Sequence, residues 1–188
     1  MDRREDFRIR TLQTEHLILR PYELKDAIRA QALAGEREII ETTLAIPYPY
    51  LLEHAESWIQ QHPRLIENGD AYPFAVVLKD ENVLIGTMTL RIDKQHNKGE
   101  LAYWIGKDYW GKGYATESAK KVMDFGFCEL NLNRIWAPAM SKNQSSTQVM
   151  KKIGMTCEGT LKQDVLKWGT YEDVDIYGIL KDAYMNCR

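Results

Sequence analysis

The 188-residue sequence predicts a mixed α/β fold: a mostly antiparallel sheet with helices packed on it. Three observations carry that expectation. β-rich runs fill the middle of the chain and its C-terminal third, some separated by only a few turn residues, as hairpins require. Helical patterns precede these runs and interrupt them twice, once after Gly113 and once after Asn143. No internal repeat, low-complexity segment or Pro/Gly/Ser-rich linker divides the chain, so residues 1–188 read as one domain with a sizeable core.

The elements follow in order. His16 to Arg20 reads as a short strand and Glu23 to Ala34 as a helix. Glu53 to Gln61 reads as a second helix, expected to end or kink before Pro63, whose ring removes a donor and crowds the preceding turn. "IPYPY" lies between these helices. Pro73 to Lys79 and Leu84 to Asp93 are strand runs separated by "DEN", which suits a hairpin, and Glu100 to Gly106 forms the next strand. Ala115, Ala119, Val122, Met123, Gly126 and Phe127 then recur at the spacing of one buried helix face. Arg134 to Met140 is a strand, and Gln144 to Ile153 a short helix closed by Gly154 as its C-terminal cap. The tail holds two further β-like runs around a Gly-Thr turn.

The stretch "GKDYWGKGYATESA", Gly106 to Ala119, joins a strand to that amphipathic helix. It fits G-x-x-x-x-G-K but has Gly113 where a hydroxyl should reach a magnesium ion. It begins the dinucleotide pattern with Gly111 and Gly113 but meets Thr116 where the third glycine belongs. What survives both failures is a turn of small residues whose following amides lack intrahelical partners, an arrangement that holds phosphate without a metal. The alternative is a tight turn and nothing more.

Other classes lose support. A net charge of -2 gives no basic field for nucleic acid. The charged N-terminus has no signal-peptide core and no apolar run reaches membrane-spanning length, so a soluble, cytoplasmic protein without membrane partners is expected. Cys128, Cys157 and Cys187 are widely spaced and odd in number, and the four histidines form no H-x-x-x-H pair; neither a disulfide framework nor a metal site is expected.

Three stretches, "HLILRPYELKDA", "ELAYWIGKDYWGKGYATESAKKVMDFGF" and "NQSSTQVMKKIGM", together with "LKWGTYEDVDIYGIL", resemble the GCN5-related N-acetyltransferases (GNAT) of RimJ/RimL type over nearly the whole chain. That branch acetylates protein N-termini, notably those of ribosomal proteins. The resemblance implies a twisted sheet splayed at the cofactor strand and acetyl-CoA as co-substrate, with no metal. The family loop Q/R-x-x-G-x-G/A is met by Trp110, Gly111, Lys112, Gly113, Tyr114 and Ala115, departing at Trp110. The pyrophosphate is then expected on the amides from Lys112 to Thr116, assisted by the helix dipole. The Lys112 side chain adds a screened attraction or is simply a solvated turn lysine. The resemblance also puts the pantetheine arm along Trp104, Ile105 and Gly106, with a backbone amide near Tyr103 or Trp104 for the oxyanion of the tetrahedral intermediate. The Tyr103 and Trp104 side chains are read mainly as packing.

Direct transfer needs a neutral amine, charge stabilisation on the carbonyl oxygen and a proton for the leaving thiolate. Glu100 matches a glutamate frequent in RimJ/RimL-like proteins and is the candidate base, through water; a solvent-facing strand-edge carboxylate is the alternative. Ser146 falls on the serine of N-x-x-S and is the candidate acid, against helix capping or local backbone bonding. Asn143 is expected to contact the pantetheine amides or to serve as an N-cap. Where the family builds the acceptor cleft, Tyr48 is the candidate substrate contact, while Tyr50 and Trp58 are read as loop packing.

The acceptor is expected to be a protein N-terminal α-amine, with a small-molecule amine (amino acid, aminoglycoside or polyamine) as the alternative; a homodimer is left open. Three other classes compete. Covalent transfer through Cys128 lacks an adjacent histidine to activate the thiol. A non-catalytic acetyl-CoA sensor would bind the cofactor without transfer. A nucleotide phosphotransferase is weakened by Gly113.

Overall fold

The computed structural model describes residues 11–186. Their strands form one eight-stranded sheet. β1 (Leu12–Gln13) pairs with β2 (Leu17–Arg20), and β2 with β3 (Ala71–Leu78). β3 turns back into β4 (Val83–Asp93) through a connection in which Asn82 takes φ +52°, a left-handed conformation that asparagine tolerates. β4 pairs with β5 (Lys98–Ile105). Beyond β5 the order runs β6 (Arg134–Met140), β8 (Thr170–Leu180) and β7 (Thr156–Lys167). All these pairings are antiparallel except β5 with β6. The parallel pair requires a crossover, and the helix predicted from Ala115 supplies it: α4 (Tyr114–Asp124), prolonged by a π turn over Phe125–Glu129.

Strand alternation divides the helices between the two faces. Leu17, Leu19, Phe74, Val76, Met88, Leu90 and Leu101 are buried with Ala119, Val122, Met123 and Phe127 of the crossover helix. α5 (Gln144–Lys152) adds Met150 to this cluster, and α6 (Lys181–Asn186) adds Tyr184. The other face carries α1 (Ala27–Ala34), whose Ala30 packs with Ala75, Val77 and Leu84. α3 (Leu52–Glu67) lies beside it through Ala55 and Ile59, which cluster with Ala27.

The structure departs from the sequence reading in two places. α3 does not stop before Pro63 but continues to Glu67. The turn after proline is held by tertiary packing: His62 is buried on one side of it, Ile66 packs on the large core cluster, and the Leu65 carbonyl accepts from the Asp70 amide. A short helix that the sequence pattern did not show, α2 (Arg37–Thr42), buries Ile39 and Ile40. Elsewhere β6 spans the expected residues, α5 is followed by Gly154 at φ +87°, and the last hairpin turns at Trp168 and Gly169. Among the described residues, no helix is long and apolar enough to cross a membrane.

Candidate active site

β5 and β6 pair over only three positions: Lys98 with Arg134, Gly99 with Ile135 and Glu100 with Trp136. β5 continues to Ile105 and β6 to Met140 without further pairing, so the sheet opens after Glu100. The backbone of β5 from Leu101 to Ile105 therefore has no β6 partner along that edge. A cleft of about 1070 Å³ runs through the opening and is lined from both faces of the sheet.

On the α4 side the cleft meets the glycine turn. Gly111 takes φ +73° and Gly113 φ +85°, and a side chain at either position would meet nothing within 4 Å. Glycine is therefore required there by backbone conformation rather than by crowding. Gly113 is the residue before α4; its carbonyl accepts from the Glu117 amide at 2.9 Å, and no side chain caps the helix. The first amides of α4 thus keep their donors and the positive end of the helix dipole, and Tyr114, Ala115 and Thr116 line the cleft. An uncapped, uncrowded helix N-terminus beside a broken strand pair fits the pyrophosphate of acetyl-CoA.

The side chains expected around this turn divide. Trp104, Ile105, Trp110, Gly111 and Gly113 line the cleft, and the Trp110 indole donates to the Ile105 carbonyl at 2.6 Å. Gly106 does not line it. A side chain there would come within 2.7 Å of Leu33, so this glycine serves close packing of β5 on α1. Lys112 is also absent from the lining; its ammonium lies 5.5 Å from the Tyr109 ring centroid.

Asn143 caps α5, its side-chain oxygen accepting from the Ser146 amide at 3.1 Å, while its amide group donates to the Thr42 carbonyl at 3.5 Å. With its backbone amide capped by Asn143, Ser146 has its hydroxyl 2.8 Å from the Tyr103 hydroxyl, across the opening from α5 to β5. Tyr103, read from the sequence as packing, is thus a polar member of the site. Burial pushes its phenol up to about 12, only partly offset by the hydrogen bond to Ser146, so it is protonated throughout the neutral range.

Glu100 reaches the same cleft from the opposite face. Register places Glu100, Ala102 and Trp104 across from Arg91, Thr89 and Thr87 on β4, and all six line the cleft on the α3 side. The Glu100 carboxylate is 23% exposed and 2.6 Å from an Arg91 guanidinium nitrogen, so it is an ion-paired wall residue and not a free edge carboxylate. Tyr48 is not in the lining. It is 63% exposed and packs edge-on against Trp168 of the β7–β8 turn, while Tyr50 and Trp58 pack against the α1–α3 cluster, as expected, and also line the cleft.

The family model for the acetyltransferase (GNAT) domain matches residues 16–156. An uncharacterized N-acetyltransferase of Bacillus licheniformis, p20, is 33% identical over 175 residues, which cover 93% of this chain and 98% of that protein. The spermidine N(1)-acetyltransferase of Escherichia coli is 26% identical over 167 residues, covering 89% of this chain and 87% of that one. A solved structure of the ribosomal α-N-protein acetyltransferase RimL in complex with coenzyme A shares the fold, with a TM-score of 0.85 over 93% of this chain and 99% of that one, at 20% identity. The uncapped helix at a broken strand pair and the family match agree: the chain belongs to the GNAT N-acetyltransferases, and its acetyl donor is acetyl-CoA.

Proposed function

We propose that the enzyme transfers acetyl directly from acetyl-CoA to a primary amine, and that the physiological amine is a protein N-terminal α-amino group. The observation that carries direct transfer is the parting of β5 and β6 after Glu100 and Trp136. That opening joins the face bearing the α4 N-terminus and α5 to the face bearing α3, so donor and acceptor can approach one another from opposite sides of the sheet.

The thioester supplies an activated acetyl group, and the protein's own residues handle the rest. The α4 amides hold the pyrophosphate, and the unpaired edge of β5 offers backbone groups to the pantetheine arm. Glu100, reaching the cleft from the α3 face, takes the amine proton through water as the C–N bond forms. As the C–S bond breaks, Ser146 gives its proton to the departing sulfur. Tyr103, hydrogen-bonded to Ser146, orients that hydroxyl and keeps its own proton, and the serine oxygen regains a proton from solvent at the open cleft.

Two features favour an α-amine over a polyamine. An α-amine loses its proton near pH 8, whereas alkylamines hold theirs to about 10; the former suits a site whose candidate base is already engaged by a guanidinium. Of the three carboxylates that line the cleft, Glu100 pairs with Arg91 and Glu38 with Lys107, each at 2.6 Å, which leaves Glu41 without an ion pair among the described residues, while Lys142 and Lys152 add positive charge to the same lining. A polycation would find most of its partners taken. The polyamine reading is favoured by the likeness to the E. coli spermidine enzyme.

Thiol release from acetyl-CoA, measured with a short peptide containing an internal lysine, with the same peptide N-terminally blocked, and with spermidine, tests the proposal. Turnover of the free peptide alone, with acetyl on its α-nitrogen by mass spectrometry, is expected. Turnover of spermidine in preference to the peptide would overturn the acceptor assignment.

A further inference from the structure

The α3 side of the cleft carries a row of polar side chains whose donors are only partly committed. Thr87, Thr89 and Arg91 alternate along β4 onto that face of the sheet and line the cleft. Thr87 donates to the Phe74 carbonyl at 3.1 Å. Arg91 is half-exposed and meets Glu100 through one nitrogen alone, Nη1 to Oε1 at 2.6 Å. Its Nε and Nη2 make no hydrogen bond among the described residues, and neither does the Thr89 hydroxyl, which solvent still reaches.

The flanking strands leave this row uncovered. Register sets Ala71 and Pro73 of β3 against Arg91 and Thr89 on one side, and Glu100 and Ala102 of β5 against them on the other. Three of these four neighbours have no polar side-chain atom, so Glu100 is the one side-chain partner that the adjoining strands supply. A guanidinium presents its N–H groups in a planar fork, and a carboxylate meets two of them side by side. Nε and Nη2, with a hydroxyl one position along the same face, match a group with two anionic oxygens. Directly opposed residues on antiparallel strands stand about 5 Å apart. A carboxylate on Arg91 and an amine at Glu100 are therefore separated by about the length of one short side chain. With both in place the charges alternate along the row, from ammonium to Glu100, Arg91 and carboxylate, and each has an opposite neighbour.

Resting on the α-amine reading above, we propose that Arg91 and Thr89 form a subsite for a carboxylate on the first side chain of the acceptor polypeptide, so that chains beginning with Asp or Glu are preferred. Arg91 is a specificity residue there: it forms no bond to the reacting atoms, and its free fork contributes to acceptor binding.

The test compares peptides that differ only in their first residue, Asp against Asn and Glu against Gln, with wild type, Arg91→Gln, Arg91→Lys and Thr89→Val, while acetyl-CoA affinity is measured alongside. The readout is the ratio within each pair, which cancels any effect of Arg91 on Glu100 that is common to all acceptors. Wild type is expected to favour the acidic member by about tenfold or more, mainly through KM. Arg91→Gln should abolish the preference or reverse it, since Glu100 then faces the incoming carboxylate unopposed, while Arg91→Lys keeps the charge without the fork and should retain part of it. Thr89→Val should lower the ratio without abolishing it. Equal turnover of both members by wild type, or a ratio unchanged in Arg91→Gln, would overturn the subsite. Turnover of free alanine in preference to an Ala-first peptide would give Arg91 to the α-carboxylate of an amino acid and overturn the side-chain assignment. Absence of turnover with every peptide and amino acid would instead overturn the α-amine reading, and the subsite with it.

Discussion

The Tyr103 hydroxyl lies 2.8 Å from the Ser146 hydroxyl, tying β5 to α5 at the place where the sheet has come apart. If Ser146 is the proton donor and Tyr103 its orienter, the two act as a unit. Ser146→Ala is expected to lower kcat by about 10²-fold or more, Tyr103→Phe by less, and the double variant no further than Ser146→Ala alone. Steady-state kinetics with the acetyl-CoA dissociation constant measured in parallel check this. Additive losses would separate the two residues.

Glu100→Gln preserves the shape of the side chain and a hydrogen bond to Arg91 but removes the basic oxygen. A fall in kcat/KM of about 10²-fold or more is predicted, with acetyl-CoA affinity within about twofold of wild type. The loss should shrink as pH rises past the α-amine's own pKa, near 8, because the amine then arrives already neutral. A pH-rate profile of both enzymes reads this directly.

Gly113→Ala places a side chain in open space but at φ +85°. The penalty is conformational, about 1–2 kcal/mol, and falls on the turn that presents the α4 amides. Weaker acetyl-CoA binding is expected by calorimetry, by about fivefold or more, with little change in the acceptor KM. Gly113→Asn should lose less, since asparagine visits this region more readily.

His62 also makes stability depend on pH. Its ring would protonate near 6.5 in the unfolded chain but only near 4 when buried. Between those values the unfolded chain binds more protons, so stability falls as pH drops through that window. The contribution is about 2 kcal/mol between pH 7 and pH 5. Urea denaturation at the two pH values should show a larger drop in wild type than in His62→Phe, by about that amount. Tyr103 works at the other end: its phenol, raised from 10 to about 12, keeps its proton when folded, so stability falls as pH rises through that interval.

Local patterns in the sequence carried much of this architecture. Period-3.6 spacing located α4, Gly154 marked the end of α5, Arg134 to Met140 read as the strand β6, and the glycine turn stood out because its small residues sit where helical amides begin. What local pattern could not give were relations set by distant partners. Pro63 reads as a helix stop or kink; of the two the stop does not occur, because Ile66 beyond it is anchored in the core and the helix runs on. An aromatic at position 103 in a strand implies packing; that its hydroxyl meets Ser146 depends on where α5 lands after the crossover. Tyr48 and Tyr50 flank Pro49 in one short loop, and only the folded path of that loop sends Tyr50 to the cleft and Tyr48 to Trp168. A histidine one residue before a helical proline gives no hint that it is buried without partners; its spacing of four from Trp58 is the one available signal.

The central claim is that acetyl donor and peptide acceptor meet through the opening between β5 and β6. A bisubstrate compound, coenzyme A joined through an acetyl bridge to the α-nitrogen of a short peptide, tests it by titration calorimetry. If both halves engage at once, it should bind about 10²-fold or more tighter than coenzyme A alone, and lose that gain when the peptide half is removed. Binding no tighter than coenzyme A would contradict a shared opening for the two substrates.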